Sequence, residues 1–138
     1  MKSIFTRIIE REIPAYIVYE DEKVIAFLDI SQATKGHTLV VPKEAYPNLF
    51  EMPEELASHV MNVSIKLAKA IKKAFNPLGL NLLNNNGEIA GQSVFHFHMH
   101  LIPRYENNDI HIRFTNHMDE LNQEEYKKRA EQITSALS

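Results

Sequence analysis

An α+β fold is predicted for this chain by three observations. Short β-branched and aromatic runs occupy the stretch before Pro42, one long amphipathic helical stretch follows from Pro53 to Phe75, and two more strand-like runs come after it. At 138 residues, and without an internal repeat, linker or low-complexity segment, the chain reads as one domain large enough to bury a core. A hydrophobic fraction of 44% and a charged fraction of 24% are ordinary for a soluble protein, so no membrane partner is expected. Met1-Lys2-Ser3 leads directly into an amphipathic segment without the apolar core of a signal peptide, which predicts a cytoplasmic protein. The absence of cysteine excludes disulfides and thiolate metal sites, and a net charge of -3 gives no general pull toward nucleic acid.

Each element has a local reason. Ser3 can cap a short helix from Ile4 to Glu12, with Phe5, Ile8 and Ile9 on one face and Pro14 as its stop. Tyr16 to Glu20 and Val24 to Leu28 flank Asp21-Glu22 and read as a hairpin. His37 to Val41 reads as a third strand, opened by Gly36 and closed by Pro42. The long helix places proline in its first turn with Glu54 and Glu55, and Lys69, Lys72 and Lys73 near its end, as the helix dipole favours. Its expected core stripe is Leu56, Val60, Val63, Leu67, Ala70 and Ala74, with His59 off the stripe in solvent. Leu78 to Leu83 makes a fourth strand, Asn84 to Gln92 a polar loop, and Ser93 to Ile102 a fifth strand stopped by Pro103. A last amphipathic helix starts near Asn122, with Glu125 completing a capping box and Tyr126, Ala130, Ile133 and Leu137 along one side.

Three of the seven histidines lie in the run His96-Phe97-His98-Met99-His100. On a strand this alternation sends the three imidazoles to one face and Phe95, Phe97, Met99 and Leu101 to the other, with successive histidines roughly 6.5 to 7 Å apart. Two chemistries fit such a row. Three neutral imidazoles can hold a catalytic zinc with water in the fourth position. Alternatively, one imidazole is a nucleophile toward phosphorus while a neighbour assists proton transfer. Asn84-Asn85-Asn86-Gly87 and Gly91-Gln92-Ser93 supply amide and hydroxyl donors, with glycines that let backbone amides approach an anion, which favours phosphate over a metal.

The segment Gly91-Gln92-Ser93-Val94-Phe95-His96-Phe97-His98-Met99-His100-Leu101-Ile102 resembles the signature of the histidine-triad nucleotide hydrolases and transferases. The resemblance also covers Ser3 to Arg11, Ala26 to Ser31, Gly36 to Lys43 and Leu80 to Gly87, and is nearest to bacterial members of the nucleoside phosphoramidase branch. It implies a five-stranded antiparallel sheet with one long helix and a short N-terminal helix. It also implies a homodimer forming a ten-stranded sheet. The expected division is a domain core over residues 1–110 and a C-terminal extension over 111–138, whose helix packs on the same domain.

The same resemblance implies that His98 attacks the α-phosphorus of a purine nucleotide, expelling an amine or a nucleotide and leaving a nucleotidyl-histidine for water to hydrolyse. His96 and His100 would orient and stabilise the phosphate, and His37 would support the triad from a neighbouring strand. Asn85 and Ser93 match phosphate or leaving-group contacts, with Gln92 beside them. Asp29 matches the acid that binds ribose hydroxyls, and Ile30, Leu39, Phe5, Ile8 and Ile13 would line the base pocket. No cofactor is implied. Some bacterial relatives hold a structural zinc near the N-terminus; the corresponding positions here are Ser3, Thr6 and Ala45 beside His96, a set that predicts no metal, with Phe5 and Ile8 anchoring the first helix instead. A nucleotide-binding regulatory protein with incidental hydrolysis is the alternative from a different functional class.

Overall fold

Asp21 closes the first hairpin. Its Oδ1 accepts hydrogen bonds from the amides of Lys23 and Val24, both at 2.8 Å, so strands β1 (Ile17–Glu20) and β2 (Val24–Leu28) turn back on each other over three residues. In this computed structural model, which describes residues 2–137, β3 (Thr38–Pro42), β4 (Gly79–Leu83) and β5 (Met99–Arg104) complete one antiparallel sheet in the order β1-β2-β3-β5-β4. Helices α1 (Ile4–Ile9), α2 (Glu54–Phe75) and α3 (Gln123–Ala136) accompany it. The chain is therefore α+β, as its sequence predicts. No helix among the described residues is long and apolar enough to cross a membrane.

Both faces of the central strands are covered. Along β2, Val24 and Ala26 join Val40 and Leu101 under Val60, Val63, Leu67 and Ile71 of α2. The alternate residues Ile25 and Phe27 join Leu39 and Val41 under Phe5 and Ile8 of α1. A strand buried on both sides has no polar face, which explains the unbroken apolar runs Val24 to Leu28 and Leu39 to Val41. Phe5 and Ile8 thus anchor α1 as expected.

Several boundaries differ from the sequence reading, each for a local reason. Helix α1 ends at Ile9 rather than Glu12, because Arg11 adopts a left-handed φ of 62° and the amides of Arg11 and Glu12 turn back to the carbonyls of Ile8 and Arg7. This is a Schellman closure, with Arg11 in the position that usually holds glycine. Pro53 caps α2 instead of entering it. The buried stripe of α2 is rotated toward Ser64 and Ile71; Ala70 and Ala74 face solvent. Serine tolerates burial there because its hydroxyl donates to the Val60 carbonyl at 2.8 Å. His59 is not free in solvent: its Nε2 meets Asp21 Oδ2 at 2.7 Å and ties α2 to the hairpin turn.

The largest difference concerns the fifth strand. It begins at Met99, not Ser93, and runs through Pro103 to Arg104. Pairing of β5 with β3 ends at Leu101, so Pro103 sits where β5 has only β4 as a neighbour and its missing N–H costs no second ladder. His96 and His98 precede the strand. The facing pattern still holds in part: Phe97, Met99 and Leu101 reach the α2 layer, whereas Phe95 is exposed. Helix α3 is capped by Asn122 as expected, through its side chain and the Glu125 amide, but buries none of its residues within one chain.

The rotated stripe has a direct consequence for stability. Ile71→Ala should lower the free energy of unfolding by about 2 to 4 kcal/mol, whereas Ala74→Lys should change it by less than about 0.5 kcal/mol, read from urea denaturation midpoints.

Candidate active site

Residues 84–98 form one side of the site. Asn84 Nδ2 donates to the His98 carbonyl at 2.9 Å, Asn86 Nδ2 donates to Asn84 Oδ1 at 2.7 Å, and the Leu49 amide donates to Asn86 Oδ1 at 2.7 Å. Two of the three asparagines are thus posts; Asn85 between them lines a cavity. Gly91, beside that amide, has a φ of 97°, a backbone conformation that residues with a side chain rarely adopt. Gln92 corrects the sequence reading. Its Oε1 accepts from the Gly87 amide and its Nε2 donates to the carbonyls of Pro47 and Val94, so this buried side chain clamps the loop and does not reach the cavity. The Phe97 amide donates to the Tyr46 carbonyl at 2.7 Å and fixes the other side of the segment.

The hydrogen-bond pattern assigns a proton position to each of four clustered imidazoles. His98 Nδ1 lies 2.8 Å from the His96 carbonyl, which can only accept, so Nδ1 carries the proton and Nε2 keeps its lone pair. His96 Nε2 lies 2.7 Å from the Pro42 carbonyl and must donate, leaving Nδ1 to accept from Ser3 Oγ at 2.8 Å. His37 Nδ1 accepts from the Ala33 amide at 3.3 Å, so its Nε2–H donates to His100 Nδ1 at 2.9 Å. His100 therefore holds its own proton on Nε2. Gly36, immediately before His37, has a φ of 93° and packs so tightly on the Phe75 ring that a Cβ would come within 2.9 Å of it.

A cavity of about 450 Å³ opens beside these rings. His98 and His100 line it together with Asp29, Asn85 and Ser93, and Phe5, Ile8, Ile13, Ile30 and Leu39 contribute apolar wall. The Phe5 ring stands edge-on to His98, with centroids 4.9 Å apart. His96 and His37 do not line it. His96, expected at the phosphate, is instead fully buried with both ring nitrogens occupied, and it meets His98 through its carbonyl. Sequence reasoning missed Tyr16, Phe27 and Val94 as lining residues, and missed Asn84 as the post under His98. Nothing in the asparagine run distinguishes a post from a ligand-facing amide.

The rings are held neutral. Burial lowers the pKa of His37, His96 and His98, opposed at His98 by its bond to the His96 carbonyl and by Asp29. Burial and the neighbouring His98 and His37 push His100 down to about 4. Burial raises the Asp29 carboxyl, but hydrogen bonds from the Ser31 hydroxyl and amide, with the nearby imidazoles, bring it below its ordinary value. Asp29, His37 and His100 bring one ligand atom each within 4.8 Å, yet the two nitrogens that face each other already share a proton. A three-histidine zinc site would need one His96 nitrogen released from its partner. Ser3, Thr6 and Ala45 line one cleft and offer two neutral hydroxyls and a methyl, which do not make a zinc-binding set.

Neutral burial links the rings to stability. Between the ordinary pKa of 6.5 and the folded value of about 4, the unfolded chain binds the His100 proton and the folded chain does not, so stability is full above pH 6.5 and falls as the pH drops toward 4. The thermal midpoint should decrease over this window, and His100→Asn should make that decrease shallower when both proteins are scanned in parallel.

Comparison with known proteins places this geometry in a family. The HIT domain model matches residues 10–107. "Protein hit" of Bacillus subtilis is 50% identical over 136 residues, covering 98% of this chain and 94% of that protein. The crystal structure of a HIT family protein from Bacillus anthracis superposes with a TM-score of 0.94 at 52% identity, covering 98% of this chain and 96% of its own. The Arabidopsis thaliana protein named adenylylsulfatase HINT3 is 40% identical over 103 residues, which is 75% of this chain and 52% of that protein. With its five-stranded sheet and its three histidines gathered around one carbonyl-locked ring, the chain belongs to the HIT domain family.

Proposed function

We propose that the protein is a nucleotide hydrolase or transferase that acts at the α-phosphate of a purine nucleotide, either a nucleoside 5′-phosphoramidate or a dinucleoside polyphosphate. One observation carries this reading: of the two imidazoles that line the cavity, only His98 has an unprotonated Nε2. In-line attack forms the Nε2–P bond as the bond to the leaving group breaks, and the leaving group departs with the electron pair. An amine takes a proton from water. The ring becomes cationic, which the His96 carbonyl at Nδ1–H and the Asp29 carboxylate both favour. Hydroxide from the same water, or for a nucleotide leaving group a water that gives up one proton to solvent, then displaces the ring from phosphorus, so one water is consumed and His98 returns neutral.

His100, with Nε2–H outward, donates to a non-bridging phosphate oxygen, and His37 keeps that tautomer in place. Asn85 and Ser93 bind the phosphate or leaving group, Asp29 accepts from the ribose hydroxyls through the oxygen not used by Ser31, and the apolar wall takes the base. The name of the Arabidopsis relative fits an enzyme in this family. We further assign a homodimer. Strand β4 has a free edge, and Leu82 and Leu83 on it are exposed; a second copy added there would satisfy the backbone groups and continue the sheet to ten strands.

Intact-protein mass spectrometry, quenched during turnover of adenosine 5′-phosphoramidate, tests the mechanism. An adenylyl adduct is expected on the parent protein and absent from His98→Ala, whose kcat should fall by about three orders of magnitude or more. Absence of turnover and adduct with both the phosphoramidate and a dinucleoside polyphosphate would overturn the enzyme reading, and tight nucleotide binding in that case would favour a regulatory binder. Sedimentation velocity should give twice the monomer mass of 15.9 kDa.

A further inference from the structure

We propose that Ser3 is a positioning residue for the nucleophile, acting through His96. The inference rests on the reading of His98 as the attacking group. Ser3 lies at the start of α1, far from the histidines in sequence, yet its Oγ is 2.8 Å from His96 Nδ1. The same oxygen accepts the Thr6 amide at 3.0 Å, which makes Ser3 the helix cap. Because His96 Nε2 must give its proton to the Pro42 carbonyl, Nδ1 can only accept, and the single Ser3 hydroxyl proton is committed to it. Thr6 Oγ1 lies 3.2 Å from Ser3 Oγ and 3.5 Å from His96 Nδ1; the much shorter Ser3 contact takes the His96 lone pair, and Thr6 donates to Ser3.

His96 is thereby gripped at both ring nitrogens, in a site with no exposure to solvent. Fixing the ring fixes the residue, and the residue's carbonyl is the group that holds the proton of His98 Nδ1 and so keeps Nε2 free. Helix α1 also supplies Phe5, whose ring stands edge-on to His96 at 5.8 Å and to His98 at 4.9 Å, and Ile8 of the cavity wall. One hydroxyl therefore sets the register between the wall of the cavity and the reactive ring. A residue outside the histidine signature controls the aim of the nucleophile. Misplacing a reacting group by a fraction of an ångström lowers the rate of the chemical step while leaving ground-state contacts largely intact.

Capping alone is the rival explanation, and two substitutions separate it. Ser3→Asp keeps a cap acceptor for the Thr6 amide but has no proton to give His96; Ser3→Thr keeps both functions. The assay is steady-state hydrolysis of adenosine 5′-phosphoramidate, paired with thermal unfolding and ¹⁵N spectra of the imidazoles. We expect Ser3→Thr to retain most of the parent kcat, and Ser3→Asp to lose about tenfold or more in kcat with KM little changed and a thermal midpoint near that of Ser3→Thr. His96 Nδ1 should appear unprotonated in the parent and Ser3→Thr, and protonated in Ser3→Asp. Equal kcat for Ser3→Asp and Ser3→Thr, or a protonated His96 Nδ1 in the parent, would overturn the inference. If the parent itself neither turns over nor forms an adduct, the enzymatic reading falls, and with it the role in aiming a nucleophile, whatever the spectra show of the Ser3 hydrogen bond.

Discussion

The contact between His98 Nδ1 and the His96 carbonyl, 2.8 Å long, is the constraint on which the rest of the site depends. A neutral imidazole has one proton for two nitrogens, and an acceptor at Nδ1 decides which nitrogen remains nucleophilic. Everything around that carbonyl serves to keep it still. Two residues on, Asn84 holds the carbonyl of His98 itself; between them the Phe97 amide is fastened to Tyr46; and His96 is pinned between Ser3 and Pro42. The second pair, His37 and His100, follows the same rule with the opposite result, since the Ala33 amide forces protons outward along the pair to His100 Nε2. Backbone groups thus set the two cavity-lining rings in complementary tautomers, His98 directly and His100 by way of His37.

Much of this was legible in the sequence, for reasons that can be located. The continuous apolar runs of β2 and β3 follow from burial, so fold class and the succession of strands could be read from periodicity, and His98 and His100 as cavity-facing rings from the signature; His96, expected beside them, is buried behind the cavity with both ring nitrogens bonded. Local closure was not legible. The end of α1 depends on Arg11 accepting a left-handed conformation, which residue preferences argue against. The rotation of the α2 stripe depends on a serine hydroxyl finding a carbonyl one turn back. Asn84, Asn85 and Asn86 are chemically identical, and only the folded loop separates two supports from one ligand-facing amide.

The prolines show how strand ends are placed with economy. Pro42 closes β3 and Pro103 lies near the end of β5, each at a position where one flank of the strand has no partner. A residue without an N–H is harmless there, and because β5 does not pair with β3 at Pro42, the Pro42 carbonyl faces His96 rather than a neighbouring strand.

That β5 starts only at Met99 has a consequence for how the protein fails. His98 stands one residue outside the sheet, on a segment secured by side-chain and loop hydrogen bonds instead of a ladder. That segment is buried all the same: His96, Phe97 and His98 are almost fully enclosed, and Phe97 belongs to the core beneath α2. Displacing the His98 ring therefore means drawing Phe97 out of the core, so the site and the fold are lost together rather than in sequence. The shape of the cavity and the integrity of the core come from the same short stretch of chain.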